Sequence, residues 1–167
     1  FVNMSIYLCG MTCNEVENIK ALTDPVWEVV DGLVWVDHGS TDGTLELLEE
    51  RVKNGRVISA KWVNSHDHSM NKFLLEGPIK EGDWIVLRDS MERFNPEWVK
   101  ALPALLDAFY LQGVKNVFNY GKGFAYNYND QMFFRGSPHW GVEGLMGGSI
   151  DLRDYYDQDK KEHTWRI

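Results

Sequence analysis

Four times within about its first 110 residues the chain passes from a short apolar run through a polar loop into a segment with apolar residues at helical spacing. That alternation restricts the fold more than any other feature. Ser5-Ile6-Tyr7-Leu8-Cys9, Leu33-Val34-Trp35-Val36, Val57 to Val63 and Trp84-Ile85-Val86-Leu87 read as strands, the first of them ending at Gly10. Helices are expected around Val16, Ile19 and Leu22, around Leu45, Leu47, Leu48 and Val52, and over Ser69 to Ile79. A fourth opens at Asn95-Pro96 and carries Val99, Leu102, Leu105, Leu106 and Phe109. Thr12-Cys13-Asn14-Glu15 has the capping-box spacing before the first helix, and Thr23-Asp24-Pro25 ends it. Strands alternating with helices in this way predict an α/β domain with a mainly parallel sheet and helices on both faces. Beyond Gly113 the pattern weakens into short strand candidates at 116–120, 123–128 and 131–135, a Gly-rich loop, and a charged tail from Asp151.

At 167 residues, with neither internal repeat nor linker, the chain reads as a single domain spanning 1–167. Its formal charge of -8 opposes binding to a phosphate backbone, so nucleic acid is not an expected partner. With two cysteines and no flanking His cluster, Cys9 and Cys13 lack the count for a structural zinc site and are expected to be buried thiols. His66 and His68 read as exposed imidazoles in a polar loop. No apolar stretch approaches the roughly 18 residues of a membrane span, and no secretory leader is visible, which fits a cytoplasmic setting. The start at Phe1 rather than Met fits a piece of a longer parent chain or of a larger assembly.

Ligands of open α/β sheets bind at the carboxyl ends of the strands, where loops converge and helix N-termini offer free N-H groups. Three such ends carry polar residues: Thr12, Asn14 and Glu15; Asp37, Ser40 and Asp42; and Asp89 with Glu92. Their order and surroundings are similar to those of family 2 glycosyltransferases. Thr12-Cys13-Asn14-Glu15 resembles the family's Thr-x-Asn-Glu, and Val36-Asp37-His38-Gly39-Ser40-Thr41-Asp42-Gly43-Thr44 resembles its Val-Asp-Asp-Gly-Ser-Thr-Asp-Gly-Thr. Gly82 to Leu87 leading into Asp89-Ser90-Met91-Glu92 resembles the strand that ends in Asp-x-Asp-Glu, and Asn71 sits where the family often has Asn in the preceding helix. The likeness covers about Ser5 to Trp98.

The resemblance implies a GT-A, Rossmann-like fold with a shortened C-terminal half. It divides the domain into a nucleotide-sugar donor half, 1–98, and an acceptor half, 99–167. It further implies transfer of a sugar from a nucleoside diphosphate donor to a hydroxyl of a glycan, lipid or protein, with inversion and metal assistance. Thr12, Asn14, Glu15, Asp37, Ser40, Asn71 and Asp89 would then bind the nucleotide sugar, Asp37 accepting from the base or ribose. Asp89 and Glu92 would hold Mn or Mg against the diphosphate. The second acidic position of the motif falls on Met91, whose thioether suits a hard cation poorly. That leaves Glu92, or Asp89 alone with the diphosphate oxygens. His38 replaces an Asp.

Inverting transfer needs a base for the acceptor hydroxyl. Glu143, in Pro138-His139-Trp140-Gly141-Val142-Glu143-Gly144, is the candidate, with His139 as a weaker one and Trp140 able to stack on a sugar. Tyr126, Tyr128, Tyr155 and Tyr156 read as packing or surface residues. Two other readings compete. A non-catalytic GT-A-like domain would bind nucleotide or glycan, or serve as an architectural part of a larger assembly. Nucleotidyl transfer is disfavoured because no Gly-rich basic loop for a triphosphate is visible.

Overall fold

A computed structural model describes residues 3–119, 122–136 and 141–152, except for the side chains of 119, 122 and 141. Nine strands and four helices are described: β1 (Ile6–Thr12), α1 (Val16–Thr23), β2 (Gly32–Asp37), α2 (Thr44–Arg51), β3 (Arg56–Ser59), α3 (His66–Glu76), β4 (Trp84–Leu87), α4 (Pro96–Leu111), β5 (Val114–Asn119), β6 (Lys122–Asn127), β7 (Phe133–Arg135), β8 (Gly141–Glu143) and β9 (Gly148–Asp151). Seven strands form one sheet in the order β3-β2-β1-β4-β6-β5-β9, and β7 and β8 form a separate ribbon. Within the large sheet only β6 runs antiparallel to its neighbours. The mainly parallel α/β expectation holds.

Continuous apolar strands arise because both faces are covered. Side-chain alternation sends Ile6, Leu8, Leu33, Trp35, Trp84 and Val86 into one core with α1, α2 and α4. It sends Tyr7, Cys9, Val34, Val36, Ile85 and Leu87 into a second core with α3 and Phe134 of β7. Tyr126 is buried in that second core and Tyr128 packs partly buried against it; Tyr155 and Tyr156 lie outside the described residues. Asn95 caps α4, its Oδ1 accepting from the Glu97 and Trp98 N-H groups at 3.0 and 3.4 Å, with Pro96 at the first turn as the sequence indicates.

Several boundaries move. β1 continues through Gly10 to Thr12, because Gly10 pairs in register with Trp35 and its missing side chain is the space the indole occupies. A Cβ at Gly10 would lie 2.3 Å from the Trp35 ring and 2.6 Å from the Arg88 carbonyl oxygen. The glycine keeps the strand rather than ending it. β3 stops at Ser59, four residues short of the expected end, and α3 begins at His66, so His66 and His68 lie in a helical first turn and not in a loop. β9, placed by the sequence reading in loop and tail, adds a parallel edge strand to β5. Cys9 is buried as expected, but Cys13 is exposed in the loop after β1.

Candidate functional site

Register brings the polar strand ends into one row. Thr12 pairs with Asp37, and Asp37 with Ser59, so the ends of β1, β2 and β3 stand side by side. The loops after β1 and β2 are then joined by side chains. The Asn14 N-H donates to Ser40 Oγ at 2.8 Å, and Asn14 Oδ1 accepts from the Thr41 N-H at 2.7 Å. The Glu15 and Val16 N-H groups donate to Thr44 Oγ1 and Asp42 Oδ2 at 2.9 and 3.2 Å. Asn14 has φ 54°, a left-handed conformation that Asn tolerates better than most residues. Gly43, at φ 96°, caps α2 where a side chain would be strained. The Thr44 hydroxyl, with backbone N-H groups, holds the Asp42 carboxyl below its ordinary range.

Thr12 and Glu15 do not form the reciprocal capping box. Glu15 is itself the N-cap of α1 and makes no side-chain capping bond there. Its Oε2 accepts from Thr12 Oγ1 at 2.5 Å and from Ser90 Oγ at 2.6 Å, which ties the β1 loop to the loop after β4. The carboxylate faces across the sheet edge instead of back to its own helix.

Asp37 is 1% exposed. Its Oδ2 accepts from the Gly39 and Ser40 N-H groups, both at 3.0 Å, while Oδ1 is buried without a hydrogen-bond partner among the described residues. Unpaired buried carboxylate oxygens are costly and rare, so this atom calls for a partner the chain itself does not supply, an ordered water or a ligand. Asp37 also lines a broad open cavity of about 620 Å³ with Ser40, Ser59, Lys61 and Trp62 among its walls. Trp62 stands edge-on to His38 and His66 at 5.2 and 5.1 Å between ring centroids. His38 is fixed in turn, Nδ1 donating to the Ala60 carbonyl at 2.8 Å and Nε2 meeting Ser69 Oγ at 3.0 Å.

Of the residues expected to bind the donor, Asp37 and Ser40 line this cavity, and Thr12, Asn14 and Glu15 build the loops beside it. Asn71 is placed differently: its Nδ2 donates to the Phe134 carbonyl at 2.9 Å and its Oδ1 accepts from the Phe134 N-H at 2.7 Å. Both ends of the amide are occupied in holding β7 to α3. Ser59, Lys61 and Trp62 were not singled out in the sequence. The signal for them was the end of β3, a fourth strand end at the same sheet edge.

After β4 the chain makes a turn that closes on itself. Asp89 is exposed, and its Oδ1 accepts from the Met91 N-H at 2.9 Å. Glu92 Oε2 accepts from the Asp89 N-H at 3.0 Å and pairs with Arg88 Nη1 at 3.3 Å. Burial pulls the Arg88 guanidinium down from its ordinary pKa, and the Glu92 charge opposes that shift. Among the described residues no three His, Cys, Asp or Glu side chains converge as a cation site, and Met91 is 73% exposed where a second carboxylate would serve one. The expected Asp89-Glu92 pair fits a resident Mn or Mg poorly: Glu92 Oε2 is held by Arg88 and by the Asp89 N-H, and Met91 offers no second hard ligand.

Glu143 lies on β8 opposite Phe133. Its Oε1 is 3.2 Å from Arg135 Nη1, and its side chain is 47% exposed. His139 and Trp140 lie outside the described residues.

No family model and no curated protein sequence matches the chain. Solved structures do. S. aureus TarS, residues 1–349, superposes with a TM-score of 0.55 at 22% identity, covering 70% of this chain and 35% of TarS. Glucosyl-3-phosphoglycerate synthase of M. tuberculosis superposes with a TM-score of 0.53 at 21% identity, over 71% of this chain and 46% of the synthase. The same enzyme in complex with uridine diphosphate gives 0.53 as well, at 21% identity. The fold is GT-A. This GT-A domain spans less than half the length of either neighbour, and its described residues contain no helix long and apolar enough to cross a membrane.

Proposed function

We propose that the chain is the nucleotide-sugar-binding part of a glycosyltransferase, transferring a sugar from a nucleoside diphosphate to a hydroxyl acceptor. The observation that carries this reading is the orphaned Oδ1 of Asp37 beside a cavity walled by Trp62 and Lys61. An acceptor residue lining one cavity with an aromatic ring and a cation suits a nucleotide, whose base or ribose offers a donor and whose phosphates carry negative charge. The fold neighbour solved with uridine diphosphate supports the same ligand class. In the transfer step the bond from the anomeric carbon to the diphosphate oxygen breaks and its electron pair leaves with the nucleoside diphosphate. The acceptor oxygen bonds to that carbon and gives its proton to a carboxylate. Glu143 is our candidate for that base, with inversion as the outcome. Arg135 engages only its Oε1, and Glu143→Gln should leave donor binding unchanged and slow transfer by about 10² to 10⁴.

The engagement of Glu143 by Arg135 favours one alternative, a GT-A domain that binds nucleotide without transferring sugar. A thermal-shift panel of nucleoside diphosphates and their sugars, followed by assay of sugar release, separates the two. A ligand held only by the native state raises stability by about 2.7 kcal/mol at 100 times its Kd, well within detection. Binding with sugar release supports the transferase and binding alone supports the binder. No shift with any nucleotide refutes both.

A further inference from the structure

The sheet edge that would receive a donor carries five carboxylates, and each has at least one oxygen committed within the protein. Glu15 Oε2 serves two hydroxyls, Asp42 serves the Thr44 hydroxyl and two backbone N-H groups, and Asp37 is enclosed. Glu92 is held by Arg88, whose side chain is 4% exposed and lies over the rings of Phe94 and Phe124 at 4.9 and 4.6 Å. The Nε and Nη2 groups of Arg88 have no hydrogen-bond partner among the described residues, so Glu92 supplies its ion pair. Glu92 Oε2 is thereby fixed, and swinging the whole carboxylate away to meet a cation would leave a buried guanidinium without its anion, which proteins rarely tolerate. Asp89 is exposed, beside a thioether at Met91 that a hard cation ligates poorly.

We propose that the nucleotide site of this domain works without a bound divalent cation: Arg88 keeps Glu92 as a structural partner, and Met91 removes the second hard ligand. Arg88 is thus a positioning residue. The nucleotide half of this inference rests on the function proposed above, and the cation half does not. Two measurements test it: the Mn²⁺ EPR signal during titration with the protein alone, and calorimetric titration of UDP and of GDP in Mn²⁺ or in EDTA. The wild type should leave the Mn²⁺ signal unchanged and bind nucleotide within about twofold in the two buffers, whereas Met91→Asp should take up Mn²⁺ and bind nucleotide at least about tenfold tighter with it. Met91 is exposed, so this variant should fold. Tenfold tightening of the wild type by Mn²⁺, or wild-type Mn²⁺ uptake that Asp89→Asn abolishes, overturns the proposal. Failure of Met91→Asp to gain Mn²⁺ overturns the role given to Met91. If neither nucleotide binds the wild type in either buffer, the donor-site reading has failed, and the Mn²⁺ signal alone decides this inference: wild-type uptake overturns it, and uptake confined to Met91→Asp supports it.

Discussion

The loops after β1 and β2 and the loop after β4 lie at the same edge of one sheet, but they spend their polar groups in different ways. In the first pair Asn14, Ser40, Asp42 and Thr44 bond from one loop to the other, and one atom, Asp37 Oδ1, is left over. In the last, Ser90 and Arg93 reach across to Glu15 and Asn18, but the charged Asp89 and Glu92 bond within their own turn or to Arg88 beside it. Cross-loop bonding fixes a shape and leaves a vacant acceptor for a ligand. Self-contained bonding neutralises the charges that would have called for one.

Breaking the self-contained turn should have the largest effect on stability. Glu92→Gln removes the charge that offsets a buried guanidinium; after allowance for the partial exposure of Glu92, the loss should be about 2 to 3 kcal/mol by denaturant unfolding. A loss below about 0.5 kcal/mol would mean that Arg88 does not depend on its partner. The matching change on the other side, Glu15→Gln, keeps an amide oxygen for the Thr12 and Ser90 hydroxyls, so it should cost only about 1 kcal/mol. If the two losses came out equal, the contrast between the loops would fail.

Much of this contrast was legible in the sequence and some was not. β1, β2 and β4 showed as continuous apolar runs because two buried cores need them, and Asn95-Pro96 marked α4 through its cap. Gly10 read as a strand end because its reason, the Trp35 ring, comes from another strand. Asn71 sat in an expected helix, but its partner Phe134 lies 63 residues away, a distance no local pattern spans. β8 and β9 are three and four residues long and each begins with a glycine, too short for alternation to speak. Arg88 ends an apolar run, and nothing local says that it lies over the rings of Phe94 and Phe124.

Asp42 has its pKa lowered in the folded state, so its contribution is present above the ordinary carboxyl value of 3.8 and is lost as pH falls through the folded value. Wild type and Asp42→Asn should differ in Tm at neutral pH and converge in strong acid; a constant gap would contradict the link to Thr44. In thiol labelling of the native protein at neutral pH, exposed Cys13 should react and Cys9 should not, because burial raises the Cys9 thiol far above its ordinary pKa. Reaction of both at equal rates would show that β1 opens as readily as its loop.

In the proposed function, Asp37 holds its free oxygen for a nucleotide. Calorimetric titration of UDP and GDP into the wild type and into Asp37→Asn tests it most directly, with Tm as the control for folding. The account predicts binding of at least one nucleotide by the wild type and a loss of about tenfold or more in the variant at nearly unchanged Tm. Equal affinity of the two proteins for the nucleotide would contradict it.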